Sequence, residues 1–325
     1  MDMQDASAAT ETVMRKSTRQ GSEGAFPGAT LMILGAARCG TSSIHELFRL
    51  HPAVCASRPK EPYFFEREYD RGLDYYRRTY FPHWHGQRVV VEARVANLVL
   101  PFVTPRIKQT FPGARFVVSL REPAERAFSH WALKYSVGLE KRPFEVAIAQ
   151  ARERLRDGNE LEGPDAERLW RASIKGRPMH VTRDVYLESG FYAAHLRRFF
   201  ALFPRDRFLI LTMDELRGDS GKVARSLLDF AGLDPALGLA QVPCANGVGT
   251  AGSRFLHRIN NRVGLHRVLP ERWRQRLRVW TSRLQPQLLP PAGVMESLRE
   301  LYAPHDRDLC ALMGWAKCPW QAAVS

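Results

Sequence analysis

The feature that most constrains this chain is residues 31–43, LMILGAARCGTSS, where a short apolar run leads into a turn bracketed by Gly35 and Gly40. An uninterrupted apolar run is typical of a strand buried on both faces, and the residues after Gly40 are predicted to start a helix. The free N–H groups and the positive dipole end of that helix favour an anion, and Arg38 adds a full positive charge. We therefore expect a buried strand, an anion-binding turn and a helix in succession.

The spacing of the two glycines is that of a P-loop, but the match is incomplete. Thr41 and Ser42 follow Gly40 where a nucleotide triphosphatase has lysine followed by serine or threonine. Such an enzyme needs that lysine on the β- and γ-phosphates and a strand-end aspartate to help hold Mg²⁺, and no convincing aspartate of that kind is found. A P-loop nucleotide or small-molecule kinase, which would use ATP with Mg²⁺, is one alternative. An ordinary strand-to-helix loop is another.

Length and composition bound the domain organisation. The chain has 325 residues, of which 45% are hydrophobic and 25% charged, which suffices for one large globular domain. Residues 1–28 are polar and lack the apolar core of a signal peptide, so they are predicted to be a disordered tail. Residues 29–325 then form a single domain, with a helical annex from about residue 254. No run approaches the roughly 18 consecutive apolar residues of a membrane span, so we expect a soluble protein in the cytoplasm.

Strand-like and helical segments alternate along the chain. The strand-like segments are short and mostly apolar, with almost no alternation of polar and apolar residues: 30–34, 88–92, 114–120 and 207–212. The segments with apolar residues at helical spacing are 42–50, 99–110, 123–136, 191–203 and 222–231. This order predicts an α/β domain with a central parallel sheet, whose ligands bind at the carboxyl ends of the strands. Residues 138–185 and the C-terminal third are predicted as annexes, and prolines including Pro304 are expected to break the C-terminal helices.

The charge distribution is strongly basic. The formal net charge is +14, from 48 basic and 34 acidic residues, which implies attraction to an anion without identifying it. Residues 253–283 hold nine arginines and one acidic residue, with two tryptophans among them. Arginines at alternate positions wrap around a helix instead of lining one face, so a helix that reads a nucleic-acid groove is not indicated. A solvated basic surface is one interpretation, and a non-catalytic polyanion-binding protein with strongly salt-dependent binding is the second alternative function.

A second candidate anion site follows the strand-like segment 114–120. Arg121 leaves the strand where the chain turns, and Ser129 lies eight residues later. A guanidinium and a hydroxyl presented together can hold a phosphate. The alternative is a surface arginine that pairs with Glu122 or Glu125.

A candidate general base lies in residues 58–66, RPKEPYFFE, where Glu61 stands between two prolines and beside three aromatic residues. A carboxylate in a partly apolar pocket has its pKa raised by desolvation, which suits Glu61 to remove a proton near neutral pH. The alternative is a loop glutamate paired with Lys60 or Arg58.

The five cysteines show no paired spacing, so neither a disulfide framework nor a zinc site is predicted, and most are expected to be buried thiols. Cys310 and Cys318 could pair, though nothing in the sequence requires it. No histidine or asparagine is placed to activate Cys39 in the first turn as a nucleophile.

Three motifs, in this order, resemble those of the sulfotransferases that use 3′-phosphoadenosine 5′-phosphosulfate (PAPS), most closely the heparan-sulfate-type carbohydrate branch and its bacterial relatives. Residues 35–43 resemble the loop that binds the 5′-phosphosulfate, residues 60–65 the catalytic Glu-Pro-aromatic segment, and residues 120–129 the 3′-phosphate motif. The likeness covers roughly residues 30–320. It implies a P-loop-type three-layer α/β fold, PAPS as the sulfuryl donor, 3′,5′-adenosine bisphosphate (PAP) as the product and no required metal.

The resemblance also implies roles for individual residues. Glu61 would remove a proton from an acceptor hydroxyl or amine, and Arg38 would stabilise charge on the departing group. The residues implied to bind the donor are Arg38, Cys39, Gly40, Thr41, Ser42, Ser43, Arg121, Ser129, Tyr192 and Arg254. The residues implied to orient the acceptor or to tune Glu61 are Lys60, Glu66 and Arg94. The acceptor would be a carbohydrate or glycoconjugate, including an anionic one, and not a nucleic acid.

The sequence departs from the family pattern at two places. Arg38 stands where the heparan-type loop commonly has lysine, an exchange that tyrosylprotein-type relatives share, so sulfuryl transfer stays consistent with the loop. Residues 92–95, EARV, lack the lysine and proline of the family's Glu-Lys-Ser/Thr-Pro segment. Acceptor specificity is therefore not carried over from the resemblance.

Overall fold

The computed structural model describes residues 26–136, 138–156, 165–175, 184–244 and 288–323. Its centre is a sheet of five parallel strands in the order β2-β3-β1-β4-β5. The strands are β1 (Leu31–Gly35), β2 (Val54–Ala56), β3 (Val89–Ala93), β4 (Arg115–Leu120) and β5 (Phe208–Thr212). The parallel sheet predicted from the alternation of segments is confirmed.

Strand β1 lies in the middle of the sheet, and all of its residues are buried. Its side chains alternate between the two faces, because Met32 and Leu34 pack in one apolar cluster and Leu31 and Ile33 in another. Strands β2 and β3 lie on one side of β1, and β4 and β5 on the other. The carboxyl end of β1 is thus the point where the strand order reverses, which is where open α/β sheets bind their ligands.

Helices cover both faces of the sheet. The α-helices of the described residues are α1 (Thr41–Arg49), α2 (Gly72–Tyr80), α3 (Ala96–Val99), α4 (Val103–Thr110), α5 (Pro123–Ser136), α6 (Phe144–Arg156), α7 (Ala166–Ile174), α8 (Tyr192–Phe200), α9 (Met213–Gly218), α10 (Ser220–Phe230) and α11 (Ala292–Met313). Helices α2, α4 and α8 contribute to the cluster on one face, and α1 and α10 to the cluster on the other. The expected three-layer arrangement is confirmed.

Several elements differ from the sequence prediction; helix α2, for example, lies in no predicted segment. The helix predicted over 99–110 begins only at Val103, as α4, and the short helix α3 precedes it and ends at Val99, because the backbone is extended at Leu100 (φ −81°, ψ 114°). Strand β2 was not predicted, since its three residues are too few to show a pattern. The expected break at Pro304 is wrong, because α11 runs through this proline. A proline removes one helical hydrogen bond, and packing of α11 against α5 and α8 compensates for it.

The C-terminal helix α11 packs closely against the segment around Gly190. Tyr302 Oη donates to Leu187 O over 2.8 Å, and the chain passes so close that a Cβ atom at Gly190 would lie 2.7 Å from the Tyr302 ring. Cys310 and Cys318, whose pairing the sequence left open, are joined by a disulfide. The described part of the predicted annex, which contains α11, therefore packs against α5 and α8.

Among the helices that the structure describes, none is long and apolar enough to cross a membrane. The predicted tail up to residue 25 and the basic stretch 253–283 lie outside the described residues. The division into a tail and a single domain stays a prediction.

Candidate active site

The turn after β1 has its shape fixed by two residues with left-handed backbone, Arg38 (φ 71°) and Gly40 (φ 75°). At Gly40 a Cβ atom would lie 2.4 Å from Leu216 Cδ2, so both the backbone angle and the available space require glycine. A positive φ at a residue other than glycine, as at Arg38, is uncommon and tends to occur at binding sites. The Ala36 N–H donates to Ser119 O over 2.5 Å and ties the turn to β4. The turn ends at the start of α1, where free N–H groups favour an anion.

The two anion turns predicted from the sequence meet through Arg38 and Ser129. Arg38 Nε donates to Ser129 Oγ over 3.1 Å. Burial and the charge of nearby Arg121 lower the pKa of the Arg38 guanidinium. Two arginines that repel each other therefore lie at the carboxyl ends of neighbouring strands, and an anion bound there would balance their charge.

Arg121, at the end of β4, is held from two directions. Its Nε and Nη2 donate to a single oxygen, Glu125 Oε2, over 3.0 and 2.7 Å. Its carbonyl oxygen accepts from Tyr192 Oη over 2.8 Å. Glu122 instead accepts two backbone N–H groups at the start of α5, over 3.0 and 2.7 Å. Of the two pairings that the sequence left open for Arg121, the structure shows the one with Glu125.

Lys60 connects the candidate base to the first turn. Its Nζ lies 3.5 Å from Thr41 Oγ1 and 3.4 Å from Glu61 Oε1. The other carboxylate oxygen, Glu61 Oε2, accepts from Arg94 Nη1 over 2.8 Å. The expected rise in the pKa of Glu61 is wrong. Burial does raise this pKa, but the charges and hydrogen bonds of Arg94 and Lys60 outweigh it, so the pKa lies below its ordinary value and Glu61 is ionised at neutral pH.

Arg94 joins Glu61 to a second carboxylate, Glu66. Arg94 Nη2 donates to Glu66 Oε1 over 2.7 Å, and its guanidinium lies over the Tyr63 ring, 4.5 Å from the ring centre. Glu66 also accepts from Arg67 Nε over 3.1 Å. Negative and positive charges therefore alternate along the series of contacts Glu61–Arg94–Glu66–Arg67, so that each buried charge has a partner of opposite sign. The side chains of Glu66 and Arg94 are 0% and 5% exposed, so they lie behind Glu61 and away from open surface.

A further buried carboxylate, Glu92 on β3, gives no signal in the sequence beyond its place in the segment 92–95. It accepts from Tyr76 Oη over 2.5 Å and from Asn97 Nδ2 over 2.8 Å. Complete burial raises the pKa of Glu92 to about 7, although these two hydrogen bonds act in the opposite direction. Glu92 therefore titrates near neutral pH two residues before Arg94.

The remaining donor-binding candidates of the first turn lie together. Thr41 is the first residue of α1, and Ser42 and Ser43 follow it. Cys39 is fully buried, and burial raises the pKa of its thiol to about 11, so it is not an activated nucleophile. Arg254 lies outside the described residues. With that exception, the predicted site residues lie around the carboxyl ends of β1, β3 and β4, where Lys60 and Arg94 connect the segment 60–66 to the first turn and to β3. Their roles toward a donor stay predictions.

Comparisons with known sequences agree with this geometry. Residues 29–241 match the family described as "Sulfotransferase domain". Heparan sulfate glucosamine 3-O-sulfotransferase 6 of Mus musculus is 33% identical over 211 residues, which are 64% of this chain and 53% of the relative. Heparan sulfate glucosamine 3-O-sulfotransferase 3B1 of Mus musculus is 27% identical over 202 residues, which are 62% of this chain and 45% of the relative. The chain thus spans about half the length of the curated relatives it matches.

A comparison with solved structures concerns the fold. The crystal structure of a sulfotransferase from Alicyclobacillus acidocaldarius matches with a TM-score of 0.62 at 22% sequence identity. The match covers 90% of this chain and 98% of that one. This similarity supports the same fold for the described residues of this chain.

Proposed function

The chain belongs to the sulfotransferase domain family, and on this premise we propose that it transfers a sulfuryl group from PAPS to a carbohydrate hydroxyl. The observation that carries the proposal is the position of Lys60. Its ammonium group lies within 3.5 Å of both Thr41, in the first anion turn, and Glu61. A candidate base thus stands directly beside the turn that resembles the 5′-phosphosulfate loop.

The arrangement of positive charge supports PAPS as the donor. PAPS carries one anionic group at its 5′ position and another at its 3′ position. The turn containing Arg38 suits the 5′-phosphosulfate, and the fork of Arg121 with the Ser129 hydroxyl suits the 3′-phosphate. Because Arg38 donates to Ser129, the two subsites are in direct contact. PAP, which keeps both phosphates after transfer, would occupy the same groups.

The proposed transfer is a single in-line displacement at sulfur. Glu61 takes the proton from the acceptor hydroxyl while that oxygen forms a bond to sulfur. The bond between sulfur and the bridging oxygen of PAPS breaks, and its electron pair stays with PAP. Arg38 and Lys60 stabilise the negative charge that develops on this oxygen. Glu61 ends protonated and returns its proton to solvent.

Arg94 and Glu66 are assigned to positioning and tuning Glu61. When Glu61 gains a proton, Arg94 loses one of its two counter-charges but keeps the fully buried Glu66. The guanidinium is then never left as an unpaired buried charge, which would be strongly unfavourable. Glu66 therefore holds Arg94 in place through the whole cycle.

The acceptor class rests on the relatives, which are named as heparan sulfate glucosamine 3-O-sulfotransferases. We assign a carbohydrate or glycoconjugate hydroxyl, including one on an anionic saccharide. Lys60 is 24% exposed at its side chain, in contrast to Arg94 at 5%, and is suited to contact such an acceptor. The cytoplasmic location stays a prediction.

Calorimetric titration with PAP, with ATP–Mg²⁺ as the competitor, tests the donor. Selective binding of PAP supports the proposal. Preference for ATP–Mg²⁺ would favour the kinase alternative, and binding of neither would favour the polyanion-binding alternative.

The substitution Glu61→Gln tests the base. We expect kcat for sulfate transfer from labelled PAPS to heparan-type saccharides to fall by about 10²- to 10⁴-fold, the usual contribution of a general base. The Kd of PAP should change little, because the carboxamide keeps the size of the side chain and Glu61 is not assigned to hold either phosphate. Glu153→Gln, at an exposed glutamate of α6, is the matched control. Unchanged turnover in Glu61→Gln would refute the assignment.

A further inference from the structure

Glu125 lies between the two groups assigned to the 3′-phosphate. Arg121 precedes it at the end of β4, and Ser129 follows it by four residues, one turn further along the same face of α5. The Glu125 side chain is 44% exposed and that of Arg121 is 19% exposed. A carboxylate therefore stands in the middle of a surface that is otherwise suited to an anion.

Glu125 binds Arg121 through the nitrogens that a phosphate would use. Arg121 Nε and Nη2 converge on Glu125 Oε2 over 3.0 and 2.7 Å. A guanidinium presents this edge to phosphates as well as to carboxylates. Because Nε carries a single hydrogen, it cannot make full hydrogen bonds to Glu125 and to a phosphate at the same time.

The surroundings of Arg121 limit how this conflict is resolved. Its backbone is held by Tyr192 Oη, which donates to the Arg121 carbonyl over 2.8 Å. Glu122, the other nearby carboxylate, is engaged by backbone N–H groups at the start of α5. When Arg121 exchanges Glu125 for a phosphate, only the side chains of Arg121 and Glu125 therefore need to move, while the backbone stays in place.

We propose that Glu125 is an internal competitor for the 3′-phosphate, which holds Arg121 in the free enzyme and is displaced when the nucleotide binds. The inference rests on the proposed function, since it needs a nucleotide with its 3′-phosphate at Arg121. Displacement breaks the Glu125–Arg121 pair and leaves a carboxylate beside a phosphate of like charge. Glu125 therefore weakens binding of nucleotides that carry a 3′-phosphate and speeds the release of PAP.

The substitution Glu125→Gln tests the inference, because glutamine keeps the shape of the side chain and removes its charge. We expect the Kd of PAP to fall about tenfold, or about 1.4 kcal/mol, as both the competing pair and the like-charge repulsion weaken. The Kd of adenosine 5′-phosphate, which lacks the 3′-phosphate, should not change. Glu153→Gln has the same change in charge on α6 and should leave both constants unchanged. All titrations are made at one ionic strength.

The possible results separate this inference from the proposed function. If wild-type protein binds PAP and Glu125→Gln binds it no more tightly than Glu153→Gln, the inference is overturned and the proposed function stands. An equal gain for PAP and adenosine 5′-phosphate also overturns it, since the effect would not act through the 3′-phosphate. If wild-type protein does not bind PAP, both fail. In an Arg121→Gln background, Glu125→Gln should produce a smaller gain, because only the like-charge repulsion remains to be removed, and a gain as large as in the wild-type background would contradict competition for Arg121.

Discussion

Replacing Arg94 by methionine removes the cation that pairs with two carboxylates near the candidate base. Arg94 is 4% exposed and donates to Glu61 over 2.8 Å and to Glu66 over 2.7 Å. After Arg94→Met, the fully buried Glu66 keeps Arg67 at 3.1 Å, and Glu61 keeps Lys60 at 3.4 Å. Removing one partner of a buried ion pair destabilises a protein by about 3–5 kcal/mol. We expect a loss of about 3 kcal/mol at pH 7, near the lower limit because each carboxylate retains a partner.

The loss in Arg94→Met should depend on pH. The folded-state pKa of Glu61 lies below its ordinary value of 4.5, so ionised Glu61 contributes stability above that pH, and this contribution is lost as the pH falls through the folded pKa. Without Arg94, burial should raise the pKa of Glu61. At pH 7 the ionised and poorly compensated carboxylate then destabilises the folded variant, and this destabilisation disappears once the carboxyl is protonated. The deficit should therefore be larger at pH 7 than at pH 4.5. The acid limb of kcat/KM should move to higher pH.

Urea unfolding at the two pH values and a pH profile of sulfate transfer measure these effects. Arg225→Met, at an exposed arginine of α10, is the matched control. Arg94→Lys keeps the positive charge but lacks the guanidinium fork that binds two carboxylates. The stability of Arg94→Lys should therefore lie between those of wild type and Arg94→Met. The reasoning fails if Arg94→Met and Arg225→Met lose the same stability at both pH values and the acid limb does not move.

Two further substitutions probe the first turn and the buried carboxylate Glu92. Gly40→Ala places a Cβ atom 2.4 Å from Leu216 Cδ2 at a φ of 75°, so it should weaken PAP binding at least about tenfold and lower the Tm, whereas Gly113→Ala, with nothing within 4 Å, should change neither. Calorimetry and thermal melting measure both, and wild-type affinity in Gly40→Ala would contradict the assigned role of the turn. Glu92 has a pKa raised from 4.5 to about 7, so the folded state binds more protons than the unfolded state in that window and wild-type stability falls as pH rises through it. Glu92→Gln should abolish this fall, as urea unfolding between pH 5 and pH 8 would show, and parallel curves would disprove the assignment.

Much of the sheet could be predicted because its strands carry their own signal. Strands β1, β3, β4 and β5 are mostly apolar, with little alternation of polar and apolar residues, and segments with helical spacing separate them. Strand β2 is equally buried, but three residues are too short for any period to show. Whether α11 continues through Pro304 depends on packing against α5 and α8, which no local pattern encodes.

Candidate residues for the site could be named from their motifs, but their charge states could not. Glu61 has apolar neighbours in sequence, which predicts a raised pKa. Lys60 and, more strongly, Arg94 reverse this shift. Arg94 lies 33 positions away and reaches Glu61 because β3 ends beside it. The contact between Arg38 and Ser129 spans 91 positions and likewise needs the pairing of β1 with β4.

The positions of Ala93 and Arg94 give a physical explanation for the departure from the family pattern at residues 92–95. Ala93, which stands where the pattern has lysine, is the last residue of β3 and packs in the apolar cluster that includes α1. Arg94 follows it and reaches Glu61 from behind, where Glu66 adds a second negative charge. A cation is thus supplied from the next position and is shared between two carboxylates. Since its charge is paired with Glu61 and Glu66, Arg94 does not simply replace the family's lysine. Acceptor specificity therefore cannot be transferred along with the motif.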